Sequence, residues 1–392
     1  MNSKSLIQVL IQIVCVFIVA SCSTSEDSLI VFDIDKATIS SKQFNLSSIA
    51  NSVEYVCLET KDECLINEAS IVYIGVVNNN FLIADLNGCY MFDSGGRFIK
   101  QVGRKGEGPA EHANIGTVFY DEKTKSILIS STYSYADGIL VFDEKGNYKK
   151  TLLSNTRLPD WTILNDSIIV SNIPNYLGNS VTKAAFISLN GDTLSTVAND
   201  DHFRMNGSVL NLNNRAVFYT NSNNKYYMRN FNDTIYLISY MQKLIPKYVV
   251  SSSDHKASNE LRADGNKFAN TDFDYIIPWS IIETDRFLFV NMFRNKEGLV
   301  PYFYDKKNEE FFSIAKSIKS DLYGFTDDLT GNILSFFPQY QLSDNLVCAV
   351  LSPNTILELK KKFPDTINLD FCYLNEYSNP VLSIIKITTD RL

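Results

Sequence analysis

Short apolar runs, mostly five to eight residues long, recur along the chain with polar clusters between them. IVYIGVV (71–77), FLIAD (81–85), CYMFD (89–93), SILISS (126–131), GILVFD (138–143), SIIVSN (167–172), AAFISL (184–189), RFLFVNMF (286–293) and VPYFYD (300–305) are rich in Val, Ile, Phe and Tyr. Asn, Asp, Gly and Lys separate them. This pattern predicts strands joined by tight turns, and helical periodicity is scarce.

A repeat overlies the strand pattern. MFDSGGRFIKQV (91–102) aligns with VFDEKGNYKKTL (141–152), fifty residues later. ISLNGDTLSTV (187–197) is a looser copy, and YFYDKKNEEFFSI (302–314) is a fourth, with Asn308 in place of Gly. Each copy reads as two strands about a turn. Asp opens the turn by bonding the backbone, and Gly or Asn accepts positive φ. Two more strands precede each turn, so the unit is four strands in about 45–50 residues, a β-propeller blade.

Six such units are expected, at 71–103, 115–153, 160–198, 207–250, 275–316 and a last one from 332–350. The last lacks outer strands locally. PVLSIIKI (380–387) and VEYVCLE (53–59) are expected to supply them. That arrangement joins both chain ends in one sheet and removes an exposed edge. The predicted fold is therefore all-β, a six-bladed β-propeller of four-stranded antiparallel blades spanning 51–392 and closed by N- and C-terminal strands in one blade. Two insertions interrupt it: about 251–274, helical at ASNELRA, and about 351–367, a short helix opened by Ser352 or Pro353.

The N-terminus reads differently. After Lys4, SLIQVLIQIVCVFIV is an apolar stretch of signal-peptide length, interrupted by Gln8 and Gln12. It ends in VASC (19–22), which resembles the bacterial lipobox. Residues 1–21 are expected to be a lipoprotein signal peptide, and Cys22 to carry acyl chains that anchor the protein to a lipid bilayer. Residues 22–50 are expected to be a tether and N-terminal segment. The protein would then lie in the cell envelope, lipid-anchored at the outer membrane, and periplasmic or surface-facing.

Charge and cysteine content narrow the partners. The net charge of −8 is diffuse, without the concentrated basic surface that nucleic acid requires. Beyond the signal segment, Cys57, Cys64, Cys89, Cys348 and Cys372 remain, so at least one thiol is unpaired within the chain. Cys57 and Cys64 stand close enough in sequence to close a small loop. The preferred reading is five mostly buried small apolar side chains. No CxxC spacing suggests structural zinc, and no metal or cofactor is expected.

GRKGEGPAEH (103–112) has the glycine content of a phosphate loop. However, Pro109 and a strand follow the glycines where a helix would be needed. It reads as a crossover between the first two blades, with glycines permitting tight turns.

Four segments carry a family resemblance: VEYVCLETKDECLI (53–66), MFDSGGRFIKQVGRKGEGPAEH (91–112), NDTIYLISYMQKLIPKYVV (232–250) and NPVLSIIKI (379–387). Together they resemble the six-bladed β-propeller lipoproteins of gut Bacteroidetes, relatives in shape of NHL-repeat propellers. The most specific element is Gly-x-Gly-Pro-x-Glu, whose usual following aromatic is His112 here. The resemblance implies no catalytic residue.

Chemistry is sparse. The three histidines, His112, His202 and His255, are far apart in sequence, and GxSxG is absent. Asp85, Asn172 and Asn291 end or follow inner-strand candidates, where they are placed to face the axis as oxygen ligands. Trp161 and Trp279, with Tyr133, Tyr135 and Tyr176, read either as stacking platforms or as inter-blade packing, with packing preferred. Arg104 and Glu111 either bridge across the crossover or line one mouth of the channel. The candidate binding residues are Arg104, Glu111, His112, Trp161 and Trp279. The expected function is a binding or scaffold module for a glycan, peptide or partner protein on a propeller face. The alternative is a metal-dependent hydrolase or lyase with a carboxylate site at the axis.

Overall fold

A computed structural model describes residues 29–388, except positions 40, 109, 132–137, 154–157, 159, 319, 332, 368, 370 and 371. Six four-stranded antiparallel sheets form a propeller. The first five blades run from inner to outer strand in sequence order, over 71–101, 115–152, 161–198, 216–251 and 276–313. In the sixth, Tyr340–Ser343 is innermost, followed by Leu346–Leu351 and Val381–Ile387, and Ala50–Cys57 closes the outer edge.

The core is divided among the blade interfaces. Leu82, Ile129 and Phe142 pack between blades 1 and 2, and Trp161, Ile139 and Ala185 between blades 2 and 3. A ring cluster of Phe289, Phe303, Phe325 and Phe337 joins blade 5 to blade 6 and its approach. Middle strands are buried on both faces, as in Asn80–Asp85. That is why they read as unbroken apolar runs rather than alternating ones.

The repeated turn has a structural role. Asp93 Oδ1 accepts the N–H groups of Gly95 and Arg97, and Asp143 Oδ1 those of Lys145 and Asn147. The turn glycines Gly96, Gly146 and Gly191 have φ of +84°, +73° and +95°. Each lies against the end of the preceding blade's outer strand: Gly96 at Cys57, Gly146 at Val102, Gly191 just after it at Leu153. A Cβ on Gly96 would lie 2.2 Å from the Cys57 carbonyl oxygen, so both conformation and space demand glycine there. Three details differ from the sequence expectation. In the third copy, Ser188 Oγ takes the Asp role. In blade 5 the left-handed residue is Glu309 rather than Asn308, because the turn holds one more residue before pairing resumes at Asp305 and Glu310. Blade 4 has the same turn built from Ser239 and Gln242 (φ +60°), which no Gly or Asp announces.

The propeller begins earlier than residue 51. Ile30–Asp33 adds a fifth, parallel strand to the outer edge of blade 4. Ile34–Ile39 is a short helix against blade 5, and Lys42 and Asn45 bridge to Ile314 and Thr326. Phe32, Ile34, Leu46 and Ile49 are buried along this strap. From Leu29 onward the N-terminal segment is therefore part of the packed domain. LIVFDI (29–34) is a short apolar run of strand type, but nothing local ties it to a blade more than two hundred residues away.

Both insertions contain the expected helices, at Asn259–Arg262 with Gly265–Ala269, and at Pro353–Lys362. The cysteine expectation is corrected. Cys57 pairs with Cys372, 315 residues away, not with Cys64, and two of the five are thus not simple packing residues. Cys64, Cys89 and Cys348 are free and buried. Tertiary closure, not sequence proximity, brings the bonded pair together. Among the described residues no helix is long and apolar enough to cross a membrane.

Candidate functional site on the crossover face

Inner strands begin on one face of the ring, and the inter-blade crossovers lie there. The first crossover holds Arg104 and Glu111, whose Nε and Oε1 are 2.5 Å apart. Glu111 also accepts the Gly108 N–H, and these two contacts, the Gly108 bond first, hold its carboxyl below the ordinary value. Arg104–Lys105 pairs with Glu111–His112 in a two-residue parallel ladder. His112 is fully buried. The Gly-rich stretch is thus an internally pinned crossover, and only Arg104 of its three candidates is well exposed.

Trp161 is 2% exposed, and its Nε1 donates to Ser130 Oγ at 2.8 Å. It packs between blades and offers no stacking surface. Trp279 is half-buried, with the Arg215 guanidinium 3.6 Å above its ring centre. Tyr176 is half-buried in a blade 3 loop. Cys22, Tyr133 and Tyr135 lie outside the described residues.

Asp85, Asn172 and Asn291, expected to follow inner strands and face the axis, lie instead on the second strands of blades 1, 3 and 5, and they do not form a set. Asp85 accepts the backbone N–H groups of Asn67, Asn87 and Gly88. Asn291 donates to Ser280, while Asn172 bonds Asp160 and Tyr227. Among the described residues no three His, Cys, Asp or Glu side chains are grouped to hold a metal.

A different cluster stands where blades 3 and 4 meet this face. Asp160 accepts the Ala216 N–H at 3.2 Å, and the Asn172 amide donates to the same oxygen at 3.5 Å. Burial pushes the Asp160 carboxyl up to about 6, against the opposing pull of the Ala216 N–H and of Arg215. Burial likewise lowers Arg215 to about 10. Tyr227 donates to Asn172 Oδ1, and Lys183 pairs with Asp200 at 2.9 Å. Arg229 is 1% exposed and donates a single 3.4 Å bond, from Nη1 to Asn199.

Five buried polar atoms here have no hydrogen-bond partner: Arg215 Nη1, Arg229 Nε and Nη2, and Asn230 Nδ2 and Oδ1. An unsatisfied buried polar group costs about 1–3 kcal/mol. Five together would offset much of a typical folding stability of about 5–15 kcal/mol. A polar occupant that supplies acceptors removes this cost.

None of these residues was singled out from sequence except Asn172. One signal existed: Arg229 follows Tyr227 by two in a strand and so shares its buried face. A charge on such a face calls for a partner.

Asp160 also makes a testable pH dependence. Its folded value lies above the ordinary value of about 3.9. The stability it contributes is therefore complete below about pH 4 and is lost as pH rises through about 6. Asp160→Asn, neutral throughout, should show a flatter Tm profile between pH 4 and 7 than the wild type. Parallel profiles would refute the assignment.

Comparison with known proteins places the fold. A Bacteroides fragilis protein described as exported matches with a TM-score of 0.69 and 20% identity, over 92% of this chain and 100% of that one. A member of the DUF4221 family from Bacteroides vulgatus matches with a TM-score of 0.46 and 11% identity, over 67% and 86%. The extracellular domain of a one-component system from B. thetaiotaomicron matches with a TM-score of 0.39 and 12% identity, over 67% and 29%. No curated protein matches. The model of one family covers residues 29–386, nearly all of the described structure, and the chain belongs to that family, the domain of unknown function DUF4934.

Proposed function

We propose that this protein is a binding or scaffold module, held outside the cytoplasm on a lipid bilayer through acylated Cys22, and that its crossover face takes a glycan, peptide or partner protein. The observation that carries this reading is the placement of exposed apolar and aromatic side chains. Leu177, Val181, Val209, Ile318, Tyr373 and Tyr377 are all exposed, and all belong to loops at the face where inner strands begin. Tyr373 and Tyr377 are 97% and 77% exposed on the blade 6 insertion. Only Tyr240 and Met241, in the blade 4 turn between 239 and 243, are comparably exposed in a loop of the opposite face, so the larger apolar surface is on the crossover side, and such a surface marks an interaction site.

Two features support the location. The Cys57–Cys372 bond suits an oxidising compartment. The B. fragilis relative is described as exported.

Replacing Tyr373 and Tyr377 together by Ala should remove binding on a glycan and peptide array by at least about tenfold, the loss of two aromatic contacts, with Tm unchanged. Unaltered binding would refute the face assignment. A palmitate analogue should label the wild type in cells and spare Cys22→Ala, and equal labelling would refute the anchor.

A further inference from the structure

Three other well-buried arginines each hold a carboxylate directly. Arg286 Nε and Nη2 grip the two Asp305 oxygens at 3.3 and 3.0 Å. Arg262 Nη1 and Nη2 grip those of Asp201 at 2.9 and 2.7 Å, and Arg294 Nε and Nη2 reach Asp274 at 3.0 and 2.7 Å. Arg229 and its neighbour Arg215 do not, and Arg229 is the more deeply buried. It is among the largest fully buried side chains, yet it makes no ion pair among the described residues. Its unpartnered atoms are Nε and Nη2, the same edge by which Arg286 holds a carboxylate. Beside it in sequence, Asn230 leaves both an amide donor and an acceptor unpartnered, and its N–H donates to the Arg215 carbonyl. Arg215 Nη1 is unpartnered too.

We propose that this junction of blades 3 and 4 is a carboxylate-binding subsite, in which the Nε–Nη2 edge of Arg229 receives both oxygens of a ligand carboxylate and Asn230 and Arg215 supply further polar contacts. The choice of carboxylate follows from the vacant edge: two parallel N–H groups fit two coplanar oxygens. Water satisfies single donors but brings no charge to a buried guanidinium, and Asp200, which acts on Arg229 electrostatically, is paired with Lys183 instead, so an anion in direct contact is the better partner. Asp200, within electrostatic reach of Arg229, has a side chain 73% exposed on the adjoining crossover. A uronic acid and a peptide C-terminus carry the same group, and both suit a module that binds on this face. The inference rests on the binding reading for its setting, but it names the chemistry independently.

Isothermal titration with glucuronate and with an acetylated dipeptide bearing a free C-terminus distinguishes the two sources. The methyl ester and the amide serve as neutral controls. Wild-type protein should bind at least one acid and neither control. Arg229→Gln should weaken that binding by at least about tenfold, the worth of one charge-assisted bidentate contact. Arg229→Lys keeps the charge and guards against a variant that merely fails to fold. It should also bind several-fold more weakly, because the planar edge is gone. Binding of acid and control alike, wild-type affinity in Arg229→Lys, or a crystal soaked in the acid that shows only water at Arg229 would each overturn the subsite. Array binding of neutral ligands that survives Arg229→Lys would overturn it while leaving the binding module standing. Acid binding that is lost in Arg229→Lys but unaffected by the Tyr373 and Tyr377 replacements would uphold the subsite and sink the assignment of the aromatic face.

Discussion

Removal of residues 380–392 is expected to abolish the cooperative fold rather than trim an edge. Val381–Ile387 lies between Ala50–Cys57 and Leu346–Leu351, pairing with both. Its loss strips the outermost strand of its only partner in the sheet and leaves the second strand with a raw edge. Val381, Leu382, Ile384, Ile385 and Ile387 are all buried. At about 1.5–3 kcal/mol for each buried aliphatic side chain, their removal matches a whole domain's stability of about 5–15 kcal/mol. Residue Asn379, just before the cut, normally ties the strand to Glu59, Cys64 and Ile66. That anchor would have no strand to hold. The truncated protein should lack a sharp melting transition and should be degraded by dilute protease. A transition within a few degrees of the intact protein would show that the ring closes by another route.

Replacing both Cys57 and Cys372 by Ser should lower stability by about 2–5 kcal/mol. The bond links residues 315 apart, so it removes far more freedom from the unfolded chain than a short loop would. It also fastens the N-terminal strand of blade 6 to the insertion that precedes the C-terminal strand. Cys64, Cys89 and Cys348 are free thiols, so among the described residues reductant acts on one bond. Urea unfolding of the wild type with and without reductant, beside the double-Ser variant, measures the effect. The reduced wild type and the variant should coincide. A wild type indifferent to reductant would refute a stabilising role.

Both expectations concern the place where the ring closes, and the sequence was informative there only in part. PVLSIIKI and VEYVCLE were legible as strands because their apolar residues form short β-branched runs. Their joining followed from the shortage of outer strands in the last blade. The partner of Cys57 was not legible, because 315 residues of chain hide which loop returns to it. The strap at 29–49 was missed for a related reason. Its buried residues Phe32, Ile34, Leu46 and Ile49 pack on three different blades, so no local period connects them.

Among candidate site residues the same division holds. Trp161 was a choice between platform and packing, and its place on an inner strand between blades put it inside. The Arg104–Glu111 pair was legible because both ends sit in one crossover. The cluster of Asp160, Arg215, Arg229 and Asn230 draws on two blades and the crossovers entering them, and no spacing rule connects such positions.

By itself, then, the sequence determined the blade count and the four-strand unit, because short apolar strand runs, Asp-x-x-Gly turns and a period near fifty residues are local properties. It also carried the apolar N-terminus ending at Cys22, which motivates the proposed anchor. Only the tertiary structure decided which aromatic rings are buried, which cysteines bond and which buried arginines lack a paired acid. Each of those depends on what a neighbouring blade presents across an interface. A side chain's partner there is set by the rotation of one sheet against the next, and a linear pattern holds no record of it.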